Sequence, residues 1–166
     1  TTANINGTAA ADIIDGNYRM DNSILKTGAG ADTLTVIAVS GSVAIDANIY
    51  TEAGADNINV DYTLQDSIFD TGAGADIASL AGITGSTLVT TGAGADILTI
   101  DSVANYVGSV DLGVGADILT MRWSASNSSG ASFDGGIGAD ILNLTGVTDW
   151  SAISGQFSNF ETINLL

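Results

Sequence analysis

The chain has 166 residues, the length of one ordinary domain, and carries 19 acidic against 3 basic side chains for a net charge of -16. Such a surface repels nucleic acid and anionic membranes, which leaves cations as its natural counterpart. Histidine, cysteine and proline are absent, which excludes disulfides, thiolate or imidazole metal sites, thiol nucleophiles and the commonest general base.

Apolar residues make up 45% of the chain, too many for a disordered acidic tail, and they recur in a fixed order. The first unit sets Ala3 and Ile5 before Asp12, with Ile14 after it. The second places Leu25 ahead of TGAGAD at residues 27–32 and follows it with Leu34 and Val36. The third has Ile49, TEAGAD at 51–56, then Ile58 and Val60; the fourth has Phe69, TGAGAD at 71–76, then Ala78 and Leu80. The fifth repeats Val89, TGAGAD at 91–96, Leu98 and Ile100; the sixth has Val110, LGVGAD at 112–117, Leu119 and Met121. The seventh has Phe133, GGIGAD at 135–140, Leu142 and Leu144, and ETINL from Glu161 mirrors DILNL from Asp140.

The six hexapeptide aspartates, Asp32, Asp56, Asp76, Asp96, Asp117 and Asp140, are separated by 24, 20, 20, 21 and 23 residues. Periods of this size indicate a solenoid. Polar residues (Thr35, Asn59, Ser79, Thr99, Thr120, Asn143) alternate with the apolar pair after each aspartate, as in a strand with one buried face. Small residues (Ser23, Ala47, Ser67, Thr87, Gly108, Ala131) stand nine positions before it. The reading is an all-β parallel β-solenoid over residues 1–166, a single domain of about eight coils of 20–24 residues with one glycine turn per coil. Insertions fall in the looser turns, around 38–41 and 124–130. A sandwich of short strands is the alternative, but it has no reason to repeat one turn sequence in phase.

Stacking the turns stacks the aspartates. Two carboxylates about 5 Å apart repel by roughly 3 kcal/mol at an effective dielectric near 20, so a row of them needs neutralising. Calcium between adjacent turns would do so, because it takes six to eight oxygen ligands from carboxylates and carbonyls. The ligand set read from the sequence is Asp12, Asp32, Asp56, Asp76, Asp96, Asp117 and Asp140. Asp70, Asp111 and Asp134 would add carboxylates from just before three turns. Carbonyls would come from the paired glycines Gly28, Gly30, Gly72, Gly74, Gly92, Gly94, Gly113, Gly115, Gly136 and Gly138. The alternative is that the aspartates only cap their own turns through hydrogen bonds.

GGIGADILNL resembles the RTX nonapeptide Gly-Gly-x-Gly-x-Asp-x-apolar-x, which binds calcium in parallel β-rolls. RTX repeats usually run in tandem; here the motif appears once per coil, so the resemblance implies a single calcium row. Glu52 replaces one glycine, and Ala9–Ala11 offer none before Asp12. Glu161 lacks the glycine turn and reads as part of a closing strand.

No constellation looks catalytic, and the paired carboxylates are explained by their period. GAGADT lacks the third glycine of a dinucleotide fingerprint. No run approaches the roughly 20 apolar residues of a membrane span. The chain begins at Thr1, not Met, which suggests a removed leader or an excised segment. Asn6, Asn127 and Asn143 open sequons, Trp123 and Trp150 lie off the inward positions, and no capping element is evident.

The expected function is an extracellular or cell-surface structural protein, prokaryotic by its composition, that binds several calcium ions and self-assembles head-to-tail into a filament or surface layer. A row of Ile77, Ile97, Ile118 and Ile141 would offer it a lateral surface. Alternatives are a calcium-folding RTX module of a larger secreted adhesin or hydrolase, and an ice-binding solenoid. Alanine at outward turn positions such as Ala73 and Ala75 weakens the last of these.

Overall fold

A computed structural model describes residues 4–17, 20–37, 43–123 and 130–166. The looser-turn insertions at 38–41 and 124–129, Ala3 and Asn127 lie outside the described residues. The chain winds as a parallel β-solenoid of about seven turns, in agreement with the period of the aspartates.

Each turn contributes one strand to each of two sheets. The first sheet stacks eight short strands in chain order: Asn4–Asn6, Ile24–Lys26, Asn48–Tyr50, Ile68–Asp70, Leu88–Thr90, Ser109–Asp111, Ser132–Asp134 and Phe157–Ser158. The second stacks Ile13–Gly16, Thr33–Ile37, Asn57–Gln65, Ile77–Gly85, Ile97–Tyr106, Ile118–Trp123, Ile141–Thr145 and Thr162–Leu165, with Val43–Ile45 pairing alongside. Neighbours are parallel and in register, so Leu34, Ile58, Ala78, Leu98, Leu119, Leu142 and Ile163 form one continuous row.

Alternation along each strand fills the interior. The middle residue of each short strand, Leu25, Ile49, Phe69, Val89, Val110 or Phe133, is buried, and it faces the pairs Leu34/Val36 through Leu142/Leu144 of the other sheet. The small residues Ser23, Ala47, Ser67, Thr87 and Ala131 are buried at the corner between them. Burying these side chains, at roughly 1.5–3 kcal/mol for each large one, is what holds two thin sheets together.

Three strands of the second sheet are longer than the four-residue alternation suggests. Asn57–Gln65, Ile77–Gly85 and Ile97–Tyr106 continue around a bend, with a register shift after Val60 and after Ile100. The continuation buries Tyr62, Leu64, Ile83, Val103 and Tyr106. The Tyr106 hydroxyl donates to the Thr87 carbonyl at 2.8 Å, and the ring occupies the space a side chain at Gly108 would need, 2.9 Å from its Cε2. At the loose corners Asn22, Asp46, Asp66 and Asn105 take left-handed φ values of 50–55°, which short polar side chains tolerate better than others.

Residues 146–156 leave the repeat and end in a short 3-10 turn, Ser154–Gln156. Val147, Trp150 and Ile153 pack against the core, and Trp150 lies 5.4 Å from the Phe157 ring. This cap covers the aromatic side of the last coil, where the sequence shows no capping element. On the other side the strand Thr162–Leu165 stays exposed, including Ile163 and Leu165, which stand in register with Leu142 and Leu144. Trp123 is also packing, 6.1 Å from Phe133 and 5.8 Å from Phe157. Asn143 donates to the Thr120 hydroxyl and accepts from Asn164, and Asn6 is exposed on the first strand.

Candidate metal centre in the carboxylate ladder

The glycine turns stack so closely that their backbones touch. A Cβ added at Gly54, Gly74 or Gly94 would lie 1.6, 1.6 or 1.5 Å from the carbonyl oxygen of Gly30, Gly54 or Gly74 in the preceding coil. The fourth position of the hexapeptide must therefore be glycine. The second-position glycines Gly28, Gly72, Gly92, Gly113 and Gly136 all have φ between 87° and 98°. The turn tips pair as bridges from Ala29 to Ala53, Ala73, Ala93 and Val114. Through those bridges the carbonyls of Gly72, Gly92 and Gly113 accept the amides of Ala93, Val114 and Ile137 at 3.0, 2.8 and 2.7 Å.

Glu52 occupies the same left-handed position with φ 70°. The cost is visible in the adjoining bond: Ala53 N–H reaches the Gly28 carbonyl at 3.5 Å, whereas the other turns close at 2.7–3.0 Å. The Glu52 side chain lies outward, 3.4 Å from Lys26 Nζ.

Inside the turn, the aspartates point into the solenoid. Asp32, Asp56, Asp76, Asp96, Asp117 and Asp140 are all buried. Each Oδ1 accepts the main-chain N–H of the aspartate one coil earlier: Asp12 to Asp32, Asp32 to Asp56, Asp56 to Asp76, Asp76 to Asp96, Asp96 to Asp117 and Asp117 to Asp140, all at 2.7–2.8 Å. Backbone amides are thereby satisfied across coils by side chains, where neither sheet reaches.

A second ladder, made by the first residue of the hexapeptide, runs beside it. Buried Thr27, Thr51, Thr71 and Thr91 donate their hydroxyls to the carbonyls of Thr51, Thr71, Thr91 and Leu112 at 2.8–3.1 Å. Threonine stands in four of the six hexapeptides, a regularity that only its inward orientation explains.

The other carboxylate oxygen has no such partner. Oδ2 of Asp32, Asp56, Asp76, Asp96, Asp117 and Asp140 is buried with no hydrogen bond. A neighbouring threonine hydroxyl lies beside the Asp56, Asp76 and Asp96 carboxyls, but its proton is directed to the next coil's carbonyl, so it can offer the carboxyl only a lone pair. Burial pushes Asp76 and Asp117 up to about 6, and like charges on the neighbouring aspartates add to the effect. Asp56, Asp96 and Asp140 are raised for the same leading reason. Six adjacent carboxyls with an unpartnered oxygen each call for a proton or a cation.

The remaining predicted ligands divide. Asp12, itself half-buried, accepts the Thr8 amide and hydroxyl at 2.5 and 2.9 Å, capping its own exposed turn. Asp70, Asp111 and Asp134 follow the inward Phe69, Val110 and Phe133, so alternation turns them to the outer side of the sheet, away from the ladder. There Asp111 and Asp134 accept the amides of Gly113 and Gly136 at 3.0 Å as turn caps.

The donor set fits a hard cation in kind: all oxygens, with unpartnered carboxylate atoms already desolvated inside a backbone turn. Among the described residues no three carboxylates converge on one point. A calcium ion here would be shared by the carboxylates of two successive coils and complete its shell from turn carbonyls and water. Comparison of the chain with protein-family models, with curated proteins and with solved structures finds no match.

Proposed function

We propose that the chain is a non-enzymatic, RTX-like calcium-binding solenoid that works outside a prokaryotic cell and self-associates into a filament or layer. The observation that carries this reading is the row of six buried carboxylate oxygens without a hydrogen-bond partner. Calcium is the ion that such an all-oxygen site suits, and extracellular calcium modules work at about 10⁻⁴–10⁻³ M, where the ion is abundant. Holding a row of ions between coils makes metal binding a folding free energy.

Support for self-association comes from the turn edge. Three rows there carry no charge: Ala29 to Ile137, Ala31 to Ala139, and Thr33 through Asn57, Ile77, Ile97 and Ile118 to Ile141. Ile77, Ile97, Val114 and Ile137 are exposed on this edge. On a molecule of net charge -16, these uncharged rows let two copies approach without setting like charges against each other. At the C-terminal edge, an added coil from a second copy, or from more of the same chain, would bury Ile163 and Leu165.

The test is isothermal titration with calcium, followed by sedimentation velocity and far-UV circular dichroism in chelator and in millimolar calcium. Expected are several bound ions, a higher Tm and the appearance of larger species. Absence of calcium binding would overturn the metal reading. A monomer that binds calcium yet stays monomeric at all concentrations would overturn the assembly reading.

A further inference from the structure

Glu161 belongs to no glycine turn; its neighbourhood reads SNFETINLL. Its carboxylate nevertheless occupies the next rung of the ladder. Glu161 Oε2 accepts the Asp140 amide at 2.7 Å, as Asp140 Oδ1 accepts the Asp117 amide at 2.8 Å. The strand after it keeps the register of every earlier coil, with Thr162 opposite Ile141 and Ile163 opposite Leu142. Left-handed Asn159, φ 55°, brings the chain to this point without Gly-x-Gly. The Asn159 carbonyl lies over Gly135, where a Cβ would meet it at 2.1 Å.

Facing Glu161 is the last aspartate of the ladder, Asp140, fully buried and with Oδ2 unpartnered. The Asp140 carboxyl is raised by burial first and then by the charges of Glu161 and Asp134. The final interval therefore pairs two carboxylates one coil apart, each engaged with a backbone amide; Asp140 keeps a buried oxygen without a partner, and Glu161 closes the row from the exposed side.

We infer that Glu161 is a cation ligand, forming with Asp140 a terminal calcium site that no sequence motif marks. This rests on the calcium reading above. The additional methylene of glutamate supplies the reach that the glycine turn gives the aspartates.

The chain provides its own reporters. Its two tryptophans, Trp123 and Trp150, both pack against Phe157 in the last coils, so tryptophan-sensitised terbium emission reads this end of the row. Glu161→Gln keeps an oxygen to accept the Asp140 amide and removes the charge. By calcium titration the variant should bind one ion fewer than the parent, and its sensitised terbium emission should fall by at least half. A second measurement needs no altered ladder. Only Glu52 and Glu161 are glutamates, so in ¹³C-glutamate-labelled protein, with Glu52 assigned through Glu52→Gln, the Glu161 carboxyl resonance should move on adding calcium. If the parent binds calcium while E161Q binds the same number and the Glu161 resonance stays still, the assignment falls and the calcium reading stands. If the parent binds no calcium, both fall.

Discussion

Replacing Asp76 by asparagine separates the two ways of neutralising the ladder. Asparagine keeps an oxygen for the Asp56 amide, now held at 2.8 Å, and places an amide group beside the Thr71 hydroxyl, which has a lone pair to accept it. What disappears is a buried charge next to two others. A carboxyl raised from 3.8 to about 6 by burial is disfavoured when ionised at neutral pH by about 1.4 kcal/mol per unit, and solvent just outside the turn reduces the total to about 1–2 kcal/mol. In chelator, D76N should therefore be more stable than the parent by about 1–2 kcal/mol, a Tm higher by roughly 3–6 °C for a chain of this size. In millimolar calcium the order should invert, because the variant lacks a ligand to the ions on either side. Asp76→Ala is the contrast, since it strands the Asp56 amide and should cost about 1–3 kcal/mol in both conditions. Thermal melts by circular dichroism, with and without calcium, give all three values. A D76N melt below that of the parent in chelator would refute the account of Oδ2 as an uncompensated charge.

Three other outcomes follow from the same geometry. For Asp76 and Asp117 the folded-state pKa of about 6 lies above the unfolded 3.8, so protonation favours the fold. In chelator, Tm should rise as pH falls from 7 through 6 toward 4, and in calcium it should fall over that range as protons displace the ion; the double variant Asp76→Asn/Asp117→Asn should flatten the chelator step. Gly74→Ala drives a Cβ to 1.6 Å from the Gly54 carbonyl at φ 150°; strain of about 1–2 kcal/mol and two weakened turn bonds of about 1 kcal/mol each should lower Tm by roughly 6–16 °C. Glu52→Gly relieves the φ of 70° and the 3.5 Å bond, gaining about 1–2 kcal/mol against about 0.5 kcal/mol for the exposed ion pair and about 0.7 kcal/mol of unfolded-chain entropy. A modest rise in the denaturant midpoint is expected, and a fall would mean that the Lys26–Glu52 contact outweighs the strain.

Much of the fold was legible because its signal is periodic. Leu34/Val36 and their successors alternate in phase with the aspartates, and both facts come from one coil repeating against itself. The outward turn of Asp70, Asp111 and Asp134 was also legible in principle, since each follows an inward residue; charge alone had suggested they join the row. Less could be read of directions that no period encodes. Nothing in TGAGAD says that its carboxylate reaches back to the amide of the preceding coil, or that its threonine reaches forward to the following carbonyl. The extensions of three strands through Tyr62, Ile83 and Tyr106 escape notice because, past the register shifts, their buried residues do not recur at one fixed distance from the aspartate. Glu161 was hidden because it reaches its rung by a different backbone path, and Trp150 because a cap occurs once.

The close stacking of turns bears on how such a chain can change. Between the identical hexapeptides at 71–76 and 91–96 lies one coil of 20 residues. Excising that length would bring Gly94 onto Gly54 and Asp96 onto Asp56, restoring every contact just described with one rung fewer. Duplication would lengthen the rod by the same logic. Each such product would inherit a closed core and an unbroken ladder. Length is therefore the property of this molecule that mutation can alter with least harm to the rest of it.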